Sequence, residues 1–279
     1  MRTLVLSIFA FSFSLACRAG SVDLLDAVAK GLIHIRIEGQ GGYNGEALKI
    51  SLSNKGKKPV EIRIPAGQIF EPEDSSLQNL IVLEEKSLLV EAGKIRPVGV
   101  YTACTEASDG SPVAGSAFNL AMLATGHLLE VAQFISEHKL YNDPSAQSAV
   151  WVITDKHPVT YIANQELAGF VAKNIGVAPP EYAVLHQQQA NPGEPAFRHA
   201  PSSLEGVFRY DLSAEQPVSF GLYNDQDQAV HYFFKGRKQL RGSHKFRFSF
   251  EIRNLPPGKY SVRLVDKTEQ VIKAMEVEF

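Results

Sequence analysis

Between Gly31 and about Val100 the apolar residues of this chain recur at every second position, and that period constrains the fold more than any other feature. Ile33, Ile35 and Ile37 alternate with Leu32, His34, Arg36 and Glu38, then Leu48, Ile50 and Leu52 repeat the pattern, followed by Val60, Ile62 and Ile64. Side chains that alternate in this way belong to half-buried strands. Turn residues fall between them at Gly39-Gln-Gly-Gly42, Ser53-Asn-Lys-Gly56 and Pro65-Ala-Gly67, and further strands are predicted at 79–83, 88–90 and 97–101. No helix follows Gly39-Gln-Gly-Gly42, so it reads as a turn and not as a phosphate loop. Short strands at this spacing predict an N-terminal β-sandwich over residues 20–113. Lys55-Gly-Lys57-Lys58 reads as a solvated hairpin tip.

After Gly110-Ser-Pro the period changes to 3.6. Phe118, Ala121, Leu128, Val131, Ala132 and Ile135 can share one face of a helix over 117–139 with Ser116 as its N-cap. A second helix begins at Asp143, a capping residue, followed by Pro144 at the first helical position and the apolar stretch 146–153. A third runs from Gln165 to about Ile175, capped by Asn164 and stopped by Gly176. These make a helical subdomain over 114–176. Residues 177–203, rich in Pro, Gln and Ala, read as a linker. Over 204–279 strands return at 218–223, 229–234, 245–252, 259–265 and 271–279, with Asn-Asp, Gly-Ser and Pro-Pro-Gly turns between them. That rhythm, with Gly221-Leu-Tyr-Asn, Gly242-Ser-His244 and Leu255-Pro-Pro-Gly258-Lys-Tyr260, resembles the C-terminal immunoglobulin-like modules of secreted bacterial proteins. The resemblance implies a β-sandwich and no particular activity.

Composition enters through compartment and partners. Arg2 precedes an apolar run over 4–15, too short for a permanent membrane helix, so residues 1–19 read as a signal peptide. The run ends Ser14-Leu-Ala-Cys17, which resembles a bacterial lipoprotein box and implies acylation of Cys17. An exported envelope protein is therefore expected, with contact to a membrane only through that lipid. The net charge of −2 and the lack of basic runs interleaved with aromatics argue against nucleic acid. With Cys17 acylated or removed, Cys104 has no partner for a disulfide, although exported cysteines usually pair.

The chemistry that stands out joins Tyr101-Thr-Ala-Cys104-Thr-Glu106 to Ser145-Ala-Gln147-Ser-Ala-Val-Trp151-Val-Ile-Thr-Asp155. A lone thiol and a glutamine in the first turn of a buried helix are the ingredients of an internal thioester. The two stretches resemble the thioester domains of bacterial surface adhesins, although Ala103 and Ala146 stand where those domains usually place an aromatic and a threonine. The resemblance implies a bond between the sulfur of Cys104 and the side-chain carbonyl of Gln147, poised to acylate an amine on a surface protein or glycan. Tyr101, Val150 and Trp151 are expected to form the pocket around it, with Val150 and Trp151 one turn along the helix from Gln147.

Two other readings stay open. Cys104 can be an inert core thiol in a structural envelope lipoprotein, or the nucleophile of a thiol hydrolase with His127 or His157 as base. No cofactor or metal is expected: the His residues are scattered, and Asp225 and Asp227 lie in a Tyr-Asn-Asp-Gln-Asp turn that reads as a hairpin before it reads as a calcium loop. Lys235, Arg237, Lys238 and Arg241 form a basic patch expected on a solvated loop.

Overall fold

The alternating segments close on themselves. In a computed structural model that describes residues 20–186 and 191–279, the N-terminal part runs β1 (Val22–Asp23), α1 (Leu24–Ala29), β2 (His34–Gly39), β3 (Asn44–Ser53), β4 (Val60–Ile64), β5 (Gln68–Pro72), β6 (Leu80–Val82), β7 (Lys86–Val90), β8 (Ile95–Cys104) and β9 (Ala117–Leu123). Six of these strands form a closed barrel in the order β2-β3-β8-β6-β5-β9, and β1, β4 and β7 make a separate three-stranded sheet. This replaces the expected sandwich over 20–113. Period two says that one face of each strand is buried, and says nothing about whether the sheet stacks on another or curls to meet its own edge. Lys55–Lys58 is exposed as expected but links β3 to β4, which belong to different sheets, so it is a loop and not a hairpin tip.

The closing strand, β9, lies where the sequence predicts the start of a helix. Phe118 pairs with Ile37 of β2 and with Pro72 of β5, so this segment supplies the last ladder of the barrel. The apolar positions of 117–123 satisfy a helical spacing as well, but tertiary pairing overrides the local pattern. Ser116 caps nothing, for its hydroxyl donates to Val113 O at 2.7 Å. The helix proper, α2, spans Gly126–Glu137 after an extended Thr125.

Two further helices follow the expected boundaries closely. In α3 (Ser145–Thr154), Pro144 already has helical dihedrals, Asp143 is extended, and the Asp143 carboxylate accepts the Ser145 N–H at 2.9 Å. For α4 (Gln165–Ile175), Asn164 Oδ1 accepts from Glu166 and Leu167, and Gly176 terminates the helix at φ 76°. Only a residue without Cβ adopts that left-handed conformation at little cost. The three helices pack on one another and against the outer face of β6 and β8.

Consecutive residues on those two strands point in opposite directions. Leu80, Val82 and Cys104 face the barrel core with Ile50, Phe70 and Val100, whereas Ile81, Leu83 and Ala103 face the helices with Val131, Ile135 and Val150. Both faces of this part of the barrel wall are thus covered, and α3 is buried with it: eight of its ten residues, Ser145 to Val152, are buried.

The stretch expected as a linker over 177–203 carries structure. It contains β10 (Tyr182–His186) and the start of β11 (Pro201–Leu212). Between them, residues 191–199 return to the N-terminal unit: Ser111 N–H donates to Glu194 O at 2.8 Å, and Ala196 and Phe197 join the barrel core. The chain continues through β12 (Gln216–Tyr223), β13 (Ala229–Gln239), β14 (Gly242–Glu251), β15 (Lys259–Asp266) and β16 (Val271–Glu278). These make two sheets, β10-β11-β14 and β13-β12-β15-β16, which share one core around Phe208, Phe220, Phe250 and Leu264. Tyr260 donates its hydroxyl to Pro256 O at 2.8 Å across the Pro-Pro-Gly turn.

Candidate functional site at the junction of barrel and helices

The last residue of β8 is held from two sides. On one, Cys104 pairs with Leu80 of β6. On the other, β3 stops short, its register with β8 reaching only as far as Asn44 opposite Ala103. The peptide groups of Cys104 that face this gap would be buried and unpaired, at about 1–3 kcal/mol for each. Gln147 fills the place of the missing strand. Its Oε1 accepts the Cys104 N–H at 2.9 Å and its Nε2 donates to Cys104 O at 2.8 Å, so a side-chain amide reproduces the two-point pairing of a β-ladder. Gln147 is 2% exposed and Cys104 is completely buried.

The geometry depends on how α3 is docked. At its far end the Asp155 carboxylate accepts the Ala107 N–H at 2.9 Å, just beyond β8. The eight residues from Gln147 to Asp155 span about 12 Å of helix. Cys104 ends β8, and the chain bends at Thr105 before it reaches Ala107. One end of α3 is thus clamped to the last residue of β8 and the other to the turn that follows it. Thr154 supports the second clamp by donating to the other Asp155 oxygen at 2.7 Å. At the near end Asp143 accepts from Asn164 Nδ2 at 2.7 Å, and the Asn164 N–H donates to Ser145 Oγ at 3.0 Å, which ties the starts of α3 and α4 together.

The thiol of Cys104 points toward the start of β3, with Sγ 3.4 Å from Tyr43 O. Burial, reinforced by the negative charge of Glu106, pushes this thiol well above its ordinary pKa. It is therefore held as SH at neutral pH. Burial also raises Tyr43, with Cys104 a smaller cause.

Of the expected pocket residues, the structure brings Trp151 into the barrel core alongside Cys104, but it turns Val150 the other way, into the helical core. Tyr101 lies on β8 facing a cleft, its ring 5.0 Å from that of Tyr141. The apolar surroundings expected on one helix face are thus split between two cores, because α3 is buried on both sides.

Two clefts flank the Cys104–Gln147 pair and share Asn44, Asp143 and Pro144 as a common rim. The first, of about 470 Å³, reaches Gln147 between Tyr101, Tyr141 and the carboxylates of Glu46 and Asp143. Glu46 is paired with Lys86 at 3.3 Å. The second, of about 390 Å³, is lined by Tyr43, Trp151, His157, Tyr161, His186 and Phe197. Its aromatic wall is continuous: Phe197 meets Trp151 edge-on at 5.6 Å, His157 at 4.4 Å and His186 at 5.1 Å. Burial lowers the pKa of His157, and brings that of His186 to about 4.

The Cys104 thiol has its contact with Tyr43 O, and the two alternative bases have neighbours of their own. His127 Nδ1 lies 2.7 Å from Asn174 Oδ1, and His157 is half-buried among Trp151, Tyr161 and Phe197. Asp227 pairs with Arg263 at 2.6 Å, and Asn224 Oδ1 organises the hairpin turn by accepting from Gln226 and Gln228. Cys17 and the leader over 1–19 lie outside the described residues.

No known protein family matches the chain, and no curated protein matches it. Among solved structures, a β-glucosidase from Kluyveromyces marxianus aligns at 9% identity and a TM-score of 0.20, over 83% of this chain and 44% of that one. The same enzyme in complex with glucose aligns at 8% identity and 0.18, over 87% and 47%. The chain spans less than half the length of either, and likeness at this level carries no statement about fold or function.

Sequence reasoning missed Tyr43, whose carbonyl faces the thiol, and the cluster formed by Phe197 and His186. Phe197 sits in a stretch whose Pro and Gln content reads as a linker, and its contact with Trp151 is made only in three dimensions. The one local signal for Asp155 was its place at the end of the Gln147 helix.

Proposed function

We propose that this is an exported interaction module of the bacterial envelope that forms an internal thioester between Cys104 and Gln147 and uses it to capture an amine on a partner. The observation that carries the reading is the reciprocal pairing of the Gln147 carboxamide with the Cys104 backbone. It lays the acyl carbon against the residue that bears the sulfur, and positioning of this kind replaces an improbable encounter by a near-unimolecular step. The Cys104 N–H on Oε1 also stabilises negative charge as it develops on that oxygen.

In the step, sulfur bonds to the Gln147 side-chain carbonyl carbon, the C–N bond breaks, and the thiol proton leaves with the amide nitrogen as ammonia. Because burial disfavours a free thiolate, proton transfer and attack proceed together. The product is shielded from water by the two cores around α3, which matters because a thioester exposed to water hydrolyses. An incoming amine attacks the same carbon through the first cleft, forming an amide with Gln147 and returning Cys104 to a thiol. The carboxylate of Asp143 and the ring of Tyr141 suit a cationic amine at its mouth, beside a Glu46 and a Tyr101 that already hold the Lys86 ammonium. The C-terminal pair of sheets is read as an immunoglobulin-like module that displays this unit, with Cys17 as a lipid anchor.

The same pairing has a purely structural value, since it satisfies the unpaired peptide groups of Cys104, and that favours the inert-thiol lipoprotein as the second reading. Intact mass separates them. If the bond forms, the purified protein weighs about 17 Da less than its sequence requires through loss of ammonia. Cys104→Ala and Gln147→Ala each abolish the deficit, and no thiol titrates at position 104 in denaturant. Full mass with one titratable thiol would establish the structural role.

A further inference from the structure

Charge is strongly segregated near the C-terminus. Residues 228–250 hold six Lys or Arg and neither Asp nor Glu, in a chain of net charge −2. The structure places Lys235, Arg237 and Lys238 on β13 and Arg241 in the two-residue crossing to β14, not on the solvated loop expected from the sequence. β13 is the edge of one sheet and β14 the edge of the other. The two edges lie against each other, with the rings of Phe233 and Phe246 stacked at 5.8 Å.

Large apolar side chains stand among these cations. Leu240 is 66% exposed, Phe233 45% and Tyr232 41%. Lys235 Nζ lies 4.8 Å above the Tyr232 ring, and Arg237 stacks on Phe234 at 5.7 Å, so the basic and apolar groups form one surface. Lys238 is neutralised by Glu215 at 2.5 Å, which leaves Lys235, Arg237 and Arg241 on β13 and its crossing, with exposed Lys245 and Arg247 on β14, as the active charges. His244 Nε2 lies 2.8 Å from Leu240 O and holds the crossing in shape.

From this geometry we infer that the β13–β14 edge is a docking surface for an anionic lipid bilayer. Basic side chains next to a negatively charged leaflet are attracted to it, and an exposed leucine with aromatic neighbours gains by entering the boundary between head groups and acyl chains. A soluble polyanion accounts for the cations but offers nothing to Leu240, which is why lipid is the partner. The orientation is independent of any thioester chemistry.

The test is sedimentation of the mature chain, residues 20–279 without the leader and Cys17, with phosphatidylcholine vesicles with or without phosphatidylglycerol. The protein is expected to pellet only with the anionic vesicles and to be released by high salt. Substituting Lys235→Gln, Arg237→Gln and Arg241→Gln together lowers partitioning about 100-fold at low ionic strength. Leu240→Ser lowers it about 10-fold while leaving the charge untouched. Arg237→Lys retains binding, and the melting temperature of each variant confirms that it is folded. No pelleting, or binding that is indifferent to Leu240→Ser and fully displaced by heparin, overturns the proposal, the latter in favour of a polyanion.

Discussion

Asp155 accepts the backbone N–H of Ala107 at 2.9 Å and so fixes the C-terminal end of α3 to the chain that has just left Cys104. Removing the carboxylate leaves a half-buried N–H unpaired. Asp155→Ala is expected to destabilise the protein by about 1–3 kcal/mol, with Asp155→Asn costing less because an amide oxygen still accepts. Urea denaturation checks this. If the thioester forms, Asp155→Ala also lowers the fraction of protein showing the mass deficit, since one of two clamps on α3 is gone.

Gln147 has no tolerated substitute by size alone. Gln147→Met preserves the volume but leaves the Cys104 N–H and C=O without partners, so a loss of about 2–4 kcal/mol is expected. Gln147→Glu retains an acceptor for the N–H but sets its oxygen against Cys104 O and buries an acid, and it cannot expel ammonia. A Gln147→Met variant as stable as the parent in equilibrium unfolding would contradict the pairing described for this side chain.

The aromatic cleft makes stability depend on pH. Burial lowers His186 from an ordinary value of 6.5 to about 4, so the unfolded chain binds a proton more readily than the folded one. The contribution is present in full above pH 6.5 and is lost progressively as pH falls toward about 4; His157, lowered for the same reason, acts in the same direction. Allowing for partial exposure, His186 accounts for on the order of 1–2 kcal/mol across that window. Unfolding followed by the fluorescence of Trp151, the single tryptophan of the chain, is expected to show a smaller loss between pH 7 and pH 4.5 for His186→Phe than for the parent.

The α4 cap offers a local control. Asn164 accepts from two backbone N–H groups and also donates to Asp143. Asn164→Ala is expected to cost about 1–2 kcal/mol, more than Asn164→Asp in the cap itself, although the aspartate repels Asp143. Thermal melts of the two variants provide the comparison.

What could be read from the sequence was whatever rests on neighbours in the chain. Asp143, Pro144, Asn164 and Gly176 mark helix ends through their own backbone preferences, and the structure has those ends where these residues place them. Five C-terminal strands emerge from alternation between turn residues. What failed was decided by distant partners. Ala117–Leu123 fits either period until β2 and β5 claim it. Tyr182–His186 is a short strand in a Pro- and Gln-rich stretch, and only its pairing with β11 reveals it. The site follows the same division: Cys104 and Gln147 could be nominated from their resemblance to thioester domains, whereas Tyr43 and Phe197 reach it through the fold.

The joining of β9 to both β2 and β5 has a bearing on how copies of this protein meet. A ring of strands offers no free row of amides and carbonyls along its wall. The open sheets do end in such rows, at β1 and β7 beside the barrel and at β10 and β16 in the C-terminal half. Assembly by strand addition is therefore steered to the open sheets, leaving the barrel wall that bears Cys104 out of reach of it.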